Sequence, residues 1–292
     1  MNTNNSERTP GWLLTAVSCG GLLAIALAWL TIPAGANGAA TTVSHVTLLA
    51  DQTASAVVAA VASQPANGTG NFAGVITFDG TVPEPKLLFK KGMSGVQDGA
   101  QCAAADMPDE SLVLDKDSKG IANVFVYIDK APAGKKYDPP KEPVVFDQKG
   151  CKFLPHALIV RVGQTMLVKS QDNVTHNTHT YPLRSTPKNQ AIPPLESKGV
   201  PYVYDKHERL PVEVKCDLHK WMSSRHLVLE HPFSAITNEK GEFEVKDLPP
   251  GKYEFIIWQE SVGYLERKFA VDIAADKVTE KKISFPASKF MK

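Results

Sequence analysis

The segment Cys216-Asp217-Leu218-His219-Lys220-Trp221-Met222 places a thiol, an imidazole and a thioether at i, i+3 and i+6. Forty positions upstream of the cysteine, Asp172-Asn173-Val174-Thr175-His176-Asn177-Thr178-His179 supplies a second imidazole. Two histidines and a cysteine in a trigonal arrangement, with a methionine as weak axial donor, suit a mononuclear copper ion. Soft sulfur favours Cu(I) and imidazole accepts both oxidation states, so this set supports one-electron cycling. The expected ligands are His176, Cys216, His219 and Met222, holding one copper per chain. Zinc also uses Cys-x2-His, but it has no use for Met222. A binuclear copper site needs two bridging cysteines and this loop has one. The plain alternative is a structural Cys/His pair with no metal.

The elements that must position these residues read as short alternating strands. From Gly74 onward, apolar residues alternate and are broken by Gly, Pro and Asp, which predicts an all-β fold. In Leu210-Pro211-Val212-Glu213-Val214-Lys215-Cys216 the apolar residues share one face, and period-two geometry puts the Cys216 sulfur on that face, at the edge of the core. Leu158, Val160 and Val162 alternate before a Gly163-Gln164 turn, and Met166 and Val168 follow it. His179 falls on the opposite face from His176 and reads as a surface residue. His156, His207, His226 and His231 read as structural.

The chain of 292 residues is 43% hydrophobic and 22% charged, an ordinary globular composition. A net charge of +1 gives no electrostatic reason to expect nucleic acid as a partner. Residues 12–32 form an uncharged apolar run of 21 residues, followed by Pro33-Ala34-Gly35-Ala36. The run suits a signal peptide with a small-residue cleavage site or a retained membrane anchor. Either places the rest of the chain outside the cytoplasm, in a periplasmic or extracytoplasmic setting. Of the cysteines after Cys19, we pair Cys102 with Cys151, since the other pairings would remove Cys216 as thiolate.

The expected organisation is a signal or anchor at 1–36, an Ala/Ser/Thr/Gly-rich linker at 37–70, a metal-bearing unit at 142–231, and a second β unit from 71–141 plus 232–292. The second unit shows Ala73-Gly74-Val75-Ile76-Thr77-Phe78 and Ala122-Asn123-Val124-Phe125-Val126 before the metal-bearing unit. After it come Thr237, Gly241-Glu242-Phe243 and Leu248-Pro249-Pro250-Gly251-Lys252-Tyr253. In that order these motifs resemble the carboxypeptidase regulatory-like sandwich, related to transthyretin. The resemblance implies an Ig-like sandwich interrupted by the metal-bearing unit; two units in series is the alternative.

The central stretch Phe153-Leu154-Pro155, Ile159-Val160-Arg161-Val162-Gly163-Gln164, Val168 and His176-Asn177, with the Cys-x2-His-x2-Met loop, resembles the cupredoxins, in its ligand motifs most nearly amicyanin and plastocyanin. Flanking sequence resembles bacterial methylamine-utilisation-type exported proteins. The cupredoxin resemblance implies a Greek-key β-sandwich and the ligand set above, with Asn177 bracing the ligand loop. It also implies electron transfer to a redox protein, a cytochrome or a dehydrogenase, with His219 as the ring nearest the surface and the electron port. Trp221 beside it would form an apolar docking patch. Asp217, Leu218 and Lys220 replace the proline-bearing loop residues of that family, and the Lys220 charge would raise the potential. No catalysis is expected. The rival readings are a copper-delivery protein and a carbohydrate-binding or adhesion sandwich using Trp258 and Tyr264.

Overall fold

The computed structural model describes residues 63–290; the expected signal or anchor and most of the linker lie outside the described residues. The described chain is all-β, with its helical segments short, at Gly99–Cys102 and Ala287–Lys289. No described helix is long and apolar enough to cross a membrane.

Two sheets combine strands from both ends of the described chain. In one, Gly70–Asp79 lies between Glu242–Leu248 and Lys277–Pro286, antiparallel to the first and parallel to the second. In the other, the order is Ser234–Ile236, Phe125–Tyr127, Gly251–Gln259, Gly263–Ile273. Between them packs an apolar core including Phe72, Ile76, Val126, Phe243, Phe255 and Ile257. Gly120 and Gly241 let the chain cross this sheet closely. A Cβ on Gly120 would stand 2.1 Å from the Lys240 carbonyl carbon, and Gly241 has φ +79° with no room for a side chain beside the Ile76 carbonyl.

The middle of the chain forms two further sheets. A five-stranded sheet runs Asn189–Ile192, His176–Tyr181, Val212–Lys215, Ser223–Leu229, Ala157–Arg161. A four-stranded sheet runs Val200–Val203, Thr165–Val168, Val144–Gln148, Phe153–Leu154. Phe146, Phe153, Val160, Met166, Val168, Val214 and Cys216 fill the space between them.

Strict alternation fails where the two sets of sheets meet. In Ala157–Arg161 every residue but Ile159 is buried, and the last four residues of Ser223–Leu229 are all buried. The outer faces of these strands pack on Phe125, Tyr127 and Trp258 through Ala157, Leu227 and Leu229. A strand covered on both faces loses its period-two signature. The same junction accounts for Arg161, buried but donating to the carbonyls of Tyr137, Leu229 and Glu230. Trp258 is therefore a core aromatic. The ring of Tyr264, partly buried beside it, carries the Arg267 guanidinium at 3.7 Å.

Two stretches differ from the sequence reading. Ser63, Ala66 and Gly68 are tied to the Glu244, Asp247 and Asp276 carboxylates, so the spacer ends earlier than residue 70. Residues 87–108, grouped by sequence with the flanking sandwich, pack instead on the middle unit through Phe89, Cys102, Ala103 and Met107. This stretch pairs Leu87–Phe89 with Met107–Pro108 and carries the short helix between them. The disulfide between Cys102 and Cys151 fastens it down.

Candidate metal centre

Three elements bring the expected ligands together. His176 opens the strand His176–Tyr181, Cys216 follows the last residue of Val212–Lys215, and His219 and Met222 lie on the turn into Ser223–Leu229. The turn is closed by Met222 N–H donating to the His219 carbonyl (2.8 Å) and Cys216 N–H to the Met222 carbonyl (3.3 Å). These bonds fix the loop, in which Asp217, Leu218 and Lys220 stand in place of prolines. His176, Cys216, His219 and Met222 are all buried, none more than 1% exposed.

The donor atoms converge. His176 Nδ1 lies 2.9 Å from His219 Nδ1, and Cys216 Sγ lies 3.6 Å from His219 Nδ1. One nitrogen from each ring and the sulfur fall within 4.8 Å of one another. The far side of each ring meets a carboxylate: His176 Nε2 is 3.0 Å from Asp172 Oδ2, and His219 Nε2 is 2.9 Å from Asp98 Oδ2. A carboxylate accepts, so each Nε2 carries a hydrogen and each Nδ1 presents a lone pair inward. Two lone pairs facing at 2.9 Å need a positive charge between them. In the metal-free protein a proton serves. Burial pulls the His176 pKa down, but the hydrogen bonds to Asp172 and Cys216 outweigh it and raise it to about 9. Burial pushes the Cys216 thiol up, but hydrogen bonding with His176, with His219 and with the Asn177 backbone N–H brings it down to about 6. A thiolate, two imidazoles aimed at one point and a nearby thioether are donors that fit a soft or borderline cation.

Asn177 braces this arrangement. Its N–H points to the Cys216 sulfur at 3.5 Å, its Oδ1 lies 3.2 Å from that sulfur and accepts from the Asp217 N–H (2.7 Å), and its Nδ2 donates to Asp217 and Asn189. His179, on the other face of the strand, pairs with Asp217 at 3.1 Å and stays outside the cluster. The other described histidines are held by the fold: His156 by Glu260, His226 by the Tyr204 hydroxyl, His207 by Asp129, and His231 by the Phe233 N–H, which it accepts at Nδ1.

Two expectations are corrected. His219 is not the ring nearest the surface: it is fully buried, because residues 87–108 cover its outer edge and place Asp98 on its Nε2. Trp221 is not an exposed patch. Its ring packs edge-to-face on Phe89 at 5.0 Å and its Nε1 donates to the Cys151 carbonyl at 3.1 Å. Both corrections have one cause, a covering segment distant in sequence.

Asp98 and Asp172 are the residues that sequence reasoning missed. Asp172 had a local signal, since it precedes His176 by four. It is 1% exposed and takes further hydrogen bonds from Gly150 N–H (2.7 Å), Cys151 N–H (2.8 Å) and Gln101 Nε2 (3.1 Å). Burial raises its pKa, but the His176, Cys151 and Gly150 hydrogen bonds hold it below the usual carboxylate value. Asp98 had no such signal, standing 121 residues from His219. The Cys102 and Cys151 sulfurs also lie within 4.8 Å of a His219 nitrogen. Joined to each other, they offer no thiolate.

No protein-family model and no curated protein matches this sequence. Solved structures similar to part of it are copper proteins. Amicyanin from Paracoccus versutus matches at 14% identity and TM-score 0.26, over 35% of this chain and 96% of its own. A purple cupredoxin from Nitrosopumilus maritimus matches at 16% identity and TM-score 0.24, over 30% and 97%. A Cu-containing nitrite reductase from Thermus scotoductus matches at 22% identity and TM-score 0.25, over 34% of this chain and only 24% of the reductase.

Proposed function

We propose that the chain is an exported copper protein that transfers single electrons, with a mononuclear type 1 site formed by His176, Cys216 and His219 and an axial Met222. The observation that carries this reading is the pair of carboxylate-backed imidazoles whose Nδ1 atoms face each other at 2.9 Å beside the Cys216 sulfur. Copper held there would supply the one-electron couple. The chain's own contribution is to fix both tautomers, keep the thiolate ionised and exclude water. Met222 favours copper over zinc, which prefers nitrogen, oxygen and thiolate donors. Delivery of copper to another protein needs ligands that a partner can reach, and all four here are buried. With every coordinating position supplied by protein, no place is left for a substrate, which argues against catalysis.

The same reading makes 142–231 a cupredoxin unit set into a sandwich built from the flanking strands. A redox protein, such as a cytochrome or a dehydrogenase, would approach beside Asp98. There a surface depression of about 340 Å³ is lined by Asp98, Gly99, Ala100, Gln101, Asn173 and Val174. Gly99, which has no side chain, and the methyl of Ala100 would let a partner come near the covered ring.

Reductive titration of the copper-loaded full chain tests this function. The expected result is one copper per chain, reduced and reoxidised reversibly by one electron. Copper that binds but cannot be cycled, or zinc that displaces it at equal concentration, contradicts it.

A further inference from the structure

The covering segment reaches the proposed metal ligands from far away in sequence. Its short helix, Gly99–Cys102, is fixed at one end by the Cys102–Cys151 disulfide and along its side by Gln101, which donates to Asp172. At the other end Asp98 adopts a left-handed backbone (φ 51°, ψ 40°) and its carbonyl accepts from the N–H groups of Gln101 and Cys102. Asp and Asn tolerate that conformation better than most residues. The main chain is thereby spent on starting the helix, and the side chain is free to turn inward. Asp98 is 37% exposed and water could satisfy it, yet its Oδ2 sits 2.9 Å from the Nε2 of a wholly buried ring.

We propose that Asp98 is a positioning residue of the copper centre: carried over His219 by the disulfide-held segment, it fixes that ring and, with Asp172 behind His176, biases the copper toward Cu(II). This rests on the copper reading above. A ligand histidine whose second N–H is given to a carboxylate is a stronger donor, and loss of such a partner costs a metal site about 10–100-fold in affinity. Charge acts in the same direction. The Cys216 thiolate, Asp98 and Asp172 place three negative charges around one cation, and a divalent ion gains more from them than a monovalent one. Water screens Asp98, so its share is smaller than that of buried Asp172. The nearest cation in sequence, Lys220, is exposed and faces solvent rather than the cluster.

Asp98→Asn keeps the shape and removes the charge. The expected result is about a tenfold loss of Cu(II) affinity with Cu(I) affinity little changed, equivalent to a rise in reduction potential of about 59 mV. Asp98→Glu restores most of the wild-type value. Alkylation of Cys216 in the metal-free variants separates loss of charge from opening of the cover: the rate should stay at the wild-type level in Asp98→Asn. An unchanged potential in a protein that is otherwise blue overturns the proposal and leaves the copper reading standing. A raised potential accompanied by fast alkylation also overturns it, because exposure and not charge would then be the cause. If the wild-type chain never turns blue, both fall together.

Discussion

The flanking sandwich and the middle unit are both two-sheet structures, and they fill their interiors differently. Between the flanking sheets lie Phe72, Phe243, Phe255, Ile76 and Ile257, with the Phe72 ring 5.1 Å from Phe243 and 4.7 Å from Phe255. The middle unit instead buries His176, His219, His226, Asp172 and Glu208. Glu208 survives burial by accepting from the backbone N–H groups of Leu183, Arg184 and Ser185, and Asp172 by accepting from four donors. A buried charge is tolerable only when such partners are in place. The flanking sandwich buries uncharged polar groups such as Asn71, Thr237 and Gln259 beside its apolar core, while the other gives part of its interior to groups that can bind a cation.

That contrast can be broken in several ways. The largest effect expected is on metal affinity. Between pH 6 and 9 the metal-free site holds a Cys216 thiolate (about 6) and a protonated His176 (about 9), so binding releases one proton. Affinity should then rise about tenfold per pH unit through that window and level off above it. Competition against a chelator of known affinity measures this. A flat profile would mean that the His176 proton does not occupy the metal's place.

Next come two substitutions of similar size and different kind. Phe72→Ala in the flanking core should cost about 3–5 kcal/mol of stability, by the same amount at pH 5 and pH 7.5. Asp172→Ala should also cost about 3–5 kcal/mol, because it leaves His176 and three further donors unpaired. Urea denaturation of the metal-free chain reads both. If Asp172→Ala were neutral, the buried carboxylate would not be organising the site.

A smaller effect concerns the buried histidines. Burial depresses His226 to about 3 and His231 to about 4, so the folded protein keeps both neutral while the unfolded chain takes up protons below its ordinary value of 6.5. Each contributes stability above pH 6.5 that is lost as pH falls toward the folded value. Between pH 6 and 5 the two together should cost about 2 kcal/mol per pH unit, and His226→Phe should halve that slope. An unaltered slope would show that His226 is protonated in the fold.

Much of this was legible in the sequence where the signal is local. The Cys216 sulfur follows from the Val212, Val214, Cys216 alternation, and the pairing of Cys102 with Cys151 from the task reserved for Cys216. Asn177 sits beside the first ligand and does bond to Asp217. The position of His219 beneath a cover was not legible, because Asp98 reaches it from a segment with no periodicity to mark its destination. Burial on both faces of Ala157–Arg161 was hidden as well, since an arginine there reads as an outward residue until the junction with Phe125, Tyr127 and Trp258 is known.

The most direct test of the copper centre is the absorption spectrum of the full chain loaded with Cu(II), taken beside Cys216→Ser. The account predicts an intense band in the red from the thiolate–copper bond, absent in the variant. A wild-type spectrum without that band, or one that the serine variant reproduces, would contradict it.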